Sequence, residues 1–358
     1  MLEVVNATEL AAGVYPGWNR ERCFQYTLVC KAAWRFDTEG NLSPLPHPPI
    51  VEVDEYRGEP GRSGLARAGE TAPFKKGCDV YLTGTAHPPR EGLRVMEAGF
   101  VLETGGGGEL RRVVRVFGRR TWERSMAGVT PSEPEPLEPT PLVPEYAFGG
   151  RGEGGDDEGY PMNPVGMGYN PTLRLKDPEL PRIELGPSFI WQPGHKPVPA
   201  IVGPLPDLWE PRRSERGSAE RDITDAGGLP LCPWGEDAED SLHNCAPPEQ
   251  RLPSPLQGGE RLSLWGLFPG LPAGRPVTLC LPRVRIDAVL IEGGRPRPVD
   301  LSCDTLHIDA DAQEIHMVYR AGIQWDFLEP RPGQFHVRTA IVTEEGTEGR
   351  EQVAEGMP

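Results

Sequence analysis

The chain has 358 residues, 37% of them apolar, with 37 basic and 53 acidic side chains and a formal net charge of -16. That is enough apolar material for one large or two medium globular domains, and the negative balance opposes any sequence-independent attraction to nucleic acid or anionic lipid. The cysteines Cys23, Cys30, Cys78, Cys232, Cys245, Cys280 and Cys303 are odd in number and follow no repeating spacing, which argues against a disulfide framework. From Phe24 to Phe36 the side chains alternate. Phe24, Tyr26, Leu28, Cys30, Ala32, Trp34 and Phe36 point one way, and Gln25, Thr27, Lys31 and Arg35 the other, which predicts a long, half-buried antiparallel strand. A turn rich in Asp, Gly and Asn follows at 37–41.

Further strands are expected over 79–86, 93–102, 110–119, 277–281, 284–292, 305–309, 314–320 and 336–342. The glycines at 105–108 and the Asp-rich run at 309–313 each lie between two of these, so both pairs read as hairpins. No long stretch has the apolar 3.6-residue period of an amphipathic helix. Between 120 and 275 the chain is turn-rich, yet Trp122, Trp191, Trp209, Trp234 and Trp265 fall there, and exposing so many indoles would create apolar patches. Pro131, Pro134, Pro136, Pro139, Pro141 and Pro144 alternate with glutamates and favour a stiff, extended connector.

The expected fold is mainly β: antiparallel, sandwich-like sheets drawn from the N- and C-terminal regions, with a long, ordered, Gly/Pro-rich irregular insert between them. The boundaries expected are a β region over 1–130, a central clasp over 131–275, a C-terminal β region over 276–345 packing with the first, and a frayed tail over 346–358, together one composite domain. No basic stretch leads into an apolar run with a small-residue cleavage site, and no apolar run approaches the roughly 18 residues needed to span a bilayer. The expectation is a reduced, cytoplasmic protein without membrane insertion.

The spacing of chemically active residues gives little support to catalysis or metal binding. Cys232, His243 and Cys245 do not have the close ligand pairs of a structural zinc site. His307 and His316 flank a hairpin and can approach one another, with Asp304 and Asp309 close in sequence, but a zinc site needs three or four converging ligands and the spacing alone does not bring these together. The acidic loop at 153–159 lacks the alternating oxygen ligands of an EF-hand. There is no Gly-x-Ser-x-Gly elbow, Walker motif or dinucleotide fingerprint. Neither metal nor cofactor is expected, and no catalytic residue is assigned. Arg111, Arg112, Arg115, Arg119 and Arg120 alternate with apolar residues and read as the solvated face of a strand. Lysine is scarcer than arginine, so Lys31, Lys75 and Lys76 stand out, and one of them is expected to pair with Asp79 and fix sheet register.

The most distinctive stretch is Tyr146-Ala147-Phe148-Gly149-Gly150, followed by Asn163-Pro164-Val165-Gly166-Met167-Gly168-Tyr169. Glycine opens backbone angles closed to other residues and proline fixes φ, so the run specifies one irregular path, and its aromatics gain by burial. With 180–184, 203–212 (Gly-Pro-Leu-Pro-Asp-Leu-Trp-Glu-Pro-Arg), the Phe24 to Phe36 strand with its Lys31, the segment 72–80 and Ala246-Pro247-Pro248-Glu249-Gln250, it resembles the bacterial domain-of-unknown-function family DUF2169 over most of the chain. The resemblance implies a type VI secretion-associated adaptor or chaperone that helps load toxic effectors onto the secretion spike. Its implied partners are the effector and the spike protein. Tyr146, Phe148, Trp191, Trp209 and Arg212 are then expected either to pack the clasp or to form its contact surface. Where family members carry a more hydrophobic element, 212–228 is rich in arginine and acid here. Readings from other classes are a loop-pocket or metal-dependent hydrolase on a β scaffold, and a binding module for a small ligand or carbohydrate.

Overall fold

The computed structural model describes residues 2–126, 128–151, 159–169, 179–186, 190, 192–218, 231–326 and 333–343. Strand takes up 46% of the described residues and helix 3%, which makes the fold mainly β. Among the described residues three sheets have four or more strands, and four further pairs of short strands stand apart from them. The largest has seven strands, running Arg251–Leu252, Cys78–Thr83, Ser302–Asp309, Glu314–Gln324, Phe24–Phe36 and Ala11–Trp18, with Leu42–Leu45 paired alongside Phe24–Phe36. A five-stranded sheet runs Ile183–Glu184, Gly108–Phe117, Val95–Thr104, Arg261–Trp265 and Val277–Cys280. A four-stranded sheet runs Leu2–Asn6, Gly333–Thr343, Arg283–Glu292 and Arg295–Val299. Neighbours in these sheets are antiparallel except Leu2–Asn6 against Gly333–Thr343 and Cys78–Thr83 against Ser302–Asp309.

The two ends of the chain are interleaved. Phe24–Phe36 pairs with Glu314–Gln324 over eleven matched positions, from Arg35 opposite Glu314 to Gln25 opposite Gln324. One apolar core serves all three sheets, with Leu28, Trp34 and Phe36 from the first, Phe100, Leu102 and Leu264 from the second, and Leu290 and Phe335 from the third. The two-residue period therefore does what its alternation demands, turning one side of every long strand into this core. The middle of the chain is less irregular than its composition suggests, because Ile183–Glu184, Arg251–Leu252 and Arg261–Trp265 enter the sheets from it.

Two expectations about polar residues need correction. Gln25, Thr27 and Lys31 do not face water but are 5%, 0% and 2% exposed, because loops 49–74 and 244–250 lie across that side of the seven-stranded sheet and supply bonding partners. Gln25 Nε2 and Thr27 Oγ1 both donate to the Pro73 carbonyl. The arginines of the second sheet are likewise divided. Arg111 and Arg115 are exposed, but Arg112 is buried and donates to the Ile201 carbonyl at 2.9 Å, and Arg120 is buried against Glu184.

Candidate functional site

The Tyr146 to Gly168 stretch folds around one side chain. Asn163, fully buried, donates from Nδ2 to the carbonyls of Pro144 and Phe148 at 2.8 and 3.0 Å, and its own carbonyl accepts from Gly150 N at 2.8 Å. Phe148–Gly149 pairs in parallel with Met167–Gly168. The glycines are required by this close approach. A Cβ on Gly149, whose φ is 150°, would come within 2.1 Å of the Asn163 carbonyl oxygen, and one on Gly166 within 2.4 Å of Asn163 Nδ2. Phe148 is 2% exposed and packs with Leu180, Ile190, Tyr160 and Tyr169. Arg182 lies over the half-buried Tyr146 ring at 4.8 Å and its N–H donates to the Tyr146 carbonyl. Pro164 sits between Asn163 and Val165 in the same turn.

Segment 203–212 docks beside this clasp. Trp209, 3% exposed, packs with Ile201, Leu205 and Val165, and Glu210 N donates to the Pro161 carbonyl. Arg212 is buried and donates to the Leu205 carbonyl. Between these inward residues, Leu208 is 68% exposed. Gln250, the last residue of the 246–250 motif and fully buried, donates from Nε2 to both the Val80 and Val202 carbonyls at 3.0 and 2.8 Å, tying the segment to the edge of the large sheet. Trp191 lies outside the described residues, as do the acidic residues 152–158 and the divergent residues 219–230.

Under loops 49–74 and 244–250 the polar side of the large sheet carries three enclosed ion pairs. Lys75 Nζ lies 2.8 Å from Asp79 Oδ2, and also donates to Thr305 Oγ1 at 2.9 Å and toward Cys245 Sγ at 3.5 Å. Asp79 further accepts from Asn244 Nδ2 and Cys245 N, both at 2.8 Å. Lys31 Nζ lies 2.7 Å from Glu70 Oε1 and donates to the Pro49 carbonyl, while the other Glu70 oxygen accepts from Val51 N. Arg320 bonds Asp304 and the Glu70 carbonyl. Burial alone would lower the Lys75 ammonium, but the adjacent Asp79 carboxylate holds it above its ordinary value. Burial likewise opposes ionisation of Asp79, and the Lys75 charge and the hydrogen bonds it accepts hold it below the usual carboxylate range. The Lys75, Asp79, Lys31 and Glu70 charges each have hydrogen-bond partners besides their counter-ion, the condition under which a buried pair is tolerated. The lysine that reaches Asp79 is Lys75, four residues away along the chain rather than across the sheet.

The histidines and cysteines singled out in the sequence have other surroundings. Tyr81, His307 and His316 form a stacked ladder, with ring centroids 4.7 and 5.4 Å apart, and Thr83 Oγ1 is 2.8 Å from His307 Nε2. Burial lowers His307 well below its ordinary value and pushes His316 down to about 4. His243 is held between the edges of Phe74 and Trp234, where burial takes it down to about 3. Cys245 belongs instead to the Asp79 cluster, and burial pushes its thiol up to about 12, far from a nucleophilic state. Among the described residues no group of three or more His, Cys, Asp or Glu side chains is placed to hold a metal ion. Nor is any helix among them long and apolar enough to cross a membrane.

Glu70, Asn244, Arg320 and Gln250 do much of the fastening, and the sequence did not single them out individually, while Asp304, noted there beside the histidines, pairs with Arg320 instead. The available signal was Lys31 itself, a cation in mid-strand that needs an acid on the same face.

This defines an all-β scaffold whose irregular segments are bonded to the polar side of a sheet, leaving a shaped loop surface. Residues 21–320 match the family model described as an uncharacterized protein conserved in bacteria, DUF2169, and the chain belongs to that family. Nothing matches among the curated proteins or among the solved structures.

Proposed function

We propose that the chain is a cytoplasmic adaptor or chaperone that assists loading of effectors onto the type VI secretion spike by protein–protein binding. The observation that carries this is the fixation of the clasp and of segment 203–212 by Asn163, Gln250 and Trp209, with Leu208 left 68% exposed in their midst. Loops ordered before the partner arrives lose little entropy on binding, and an exposed apolar residue on a fixed loop is an anchor of the kind that concentrates binding energy. Its test is affinity purification of the full chain from lysate of its native host, followed by identification of bound proteins. The spike protein, an effector, or both are expected in the eluate, and the absence of both overturns the adaptor role.

A further inference from the structure

Among the described residues, one side of the Glu314–Gln324 strand runs out of partners before the strand ends. Odd-numbered positions turn their backbone groups toward Phe24–Phe36: Gln313 accepts from Phe36 N at 2.8 Å, and Trp325 N donates to the Phe24 carbonyl at 3.0 Å. Alternation then aims even positions at Ser302–Asp309, whose pairing ends where Ser302 meets Arg320. Upstream of Ser302 the chain leaves for the other sheet as Arg295–Val299, paired there with Arg283–Glu292. Gly322 and Gln324 consequently turn their N–H and C=O groups into a groove of about 280 Å³, with residues 297–300 as one wall and 321–324 as the other. Among the described residues the facing edge pairs only with Arg283–Glu292 and not with 321–324. Pro296 and Pro298 bring no N–H to the Arg295–Val299 edge, so its outward side has no donors at these positions.

Unpaired amides two residues apart on an extended strand are the groups that an added strand satisfies. Arg297 stands exposed in the wall, with no ion-pair partner among the described residues, and Asp300 stands exposed three residues further along the same wall, so an acidic side chain is selected at the Arg297 end of the incoming segment only. We infer that this groove binds an extended segment of a partner polypeptide, carrying an acidic side chain at Arg297, by strand addition to residues 322–324. The inference rests on the adaptor role proposed above and gives it a defined docking mode.

The test is selection of phage-displayed random dodecapeptides on the immobilised full chain. Enriched peptides are expected to carry Asp or Glu and to bind wild type and Q324A alike, since Q324A keeps the backbone N–H. Q324P, which removes it on the groove side only, is expected to bind at least about fivefold more weakly, and R297E, a surface change, is expected to weaken binding as well. Amide exchange of wild type with the most enriched peptide is expected to show new protection at Gly322 and Gln324. No enrichment, equal binding by Q324P at an unchanged melting temperature, or no protection at those amides overturns the inference. Co-purification separates the two ideas. A spike protein or effector that binds wild type and Q324P equally removes the groove and leaves the adaptor role standing. Peptides that dock in the groove while neither partner co-purifies remove the adaptor role and leave the groove.

Discussion

Lys75 and Asp79 meet at 2.8 Å with their side chains only 2% and 0% exposed, in a pocket closed by Thr305, Asn244 and Cys245, and the next cation, Arg251 Nε, lies 4.0 Å from Asp79 Oδ1. Removing Lys75 takes away the closest counter-charge. Lys75→Met is expected to cost about 3–5 kcal/mol, because the Asp79 carboxylate remains buried without its closest cation. Urea unfolding of wild type and variant measures this. A variant as stable as wild type would show that the pair is dispensable.

The histidine ladder makes stability sensitive to mild acid. His316, down to about 4, and His307, lower than its ordinary value, stay neutral in the native state while the unfolded chain begins to take up protons near about pH 6.5. Their contribution is complete above that pH and is lost as pH falls from about 6.5 toward 4, amounting to roughly 3 kcal/mol for His316 alone. Glu184 and Asp309, whose carboxyls burial raises, act in the opposite direction at the acid end. Unfolding free energies measured from pH 7.5 down to 4.5 are expected to decline, and His316→Leu is expected to flatten the decline. A wild-type profile level across this interval contradicts the assignment.

Asn163 offers a sharper probe of the clasp than any truncation. Asn163→Asp keeps the shape but sets a carboxylate against the carbonyl oxygens of Pro144 and Phe148. The loss of two donors in a buried site, with like partial charges facing each other, is expected to cost more than about 2 kcal/mol. Gly166→Ala is expected to be comparably harmful because its Cβ would meet Asn163 and the Ala147 carbonyl. Limited proteolysis is expected to cut both variants within 144–169 before wild type. Resistance equal to wild type would mean that the bonded turn does not govern local order.

Leu208→Asp addresses the loop surface. The side chain is 68% exposed, so the melting temperature is expected to change by no more than a degree or two, whereas recovery of a spike protein or effector in co-purification is expected to fall about tenfold. Unaltered recovery would place the contact elsewhere on the chain.

The long strands were legible because their alternation is strong and local. The strand from Phe24 to Phe36 has the same bounds in structure and sequence, and the approach of His307 to His316 followed from the hairpin between them. What lay on the far side of those strands was not legible. Nothing near Lys31 in sequence announces Glu70, and Arg112 and Arg120 repeat the pattern of exposed Arg111 and Arg115, since burial there depends on which distant loop crosses the sheet. The clasp's glycines marked an irregular path, but the role of Asn163 as its hub depends on contacts that span fifteen to nineteen residues. Short strands such as Ile183–Glu184 and Arg251–Leu252 were invisible because two residues carry no period.

The three enclosed ion pairs tie assembly of the protein to completeness of the chain. Each pair closes within one half of the chain, but its further bonds cross to the other half: Asp79 accepts from 244 and 245, Lys75 donates to Thr305 and Arg320 to the Glu70 carbonyl, so an excised half would bury charges stripped of part of their hydrogen bonding. Halves of this polypeptide are therefore expected to be insoluble when expressed singly and to recover solubility when co-expressed, and folding is expected to be an all-or-none event in which the sheet and its covering loops close together.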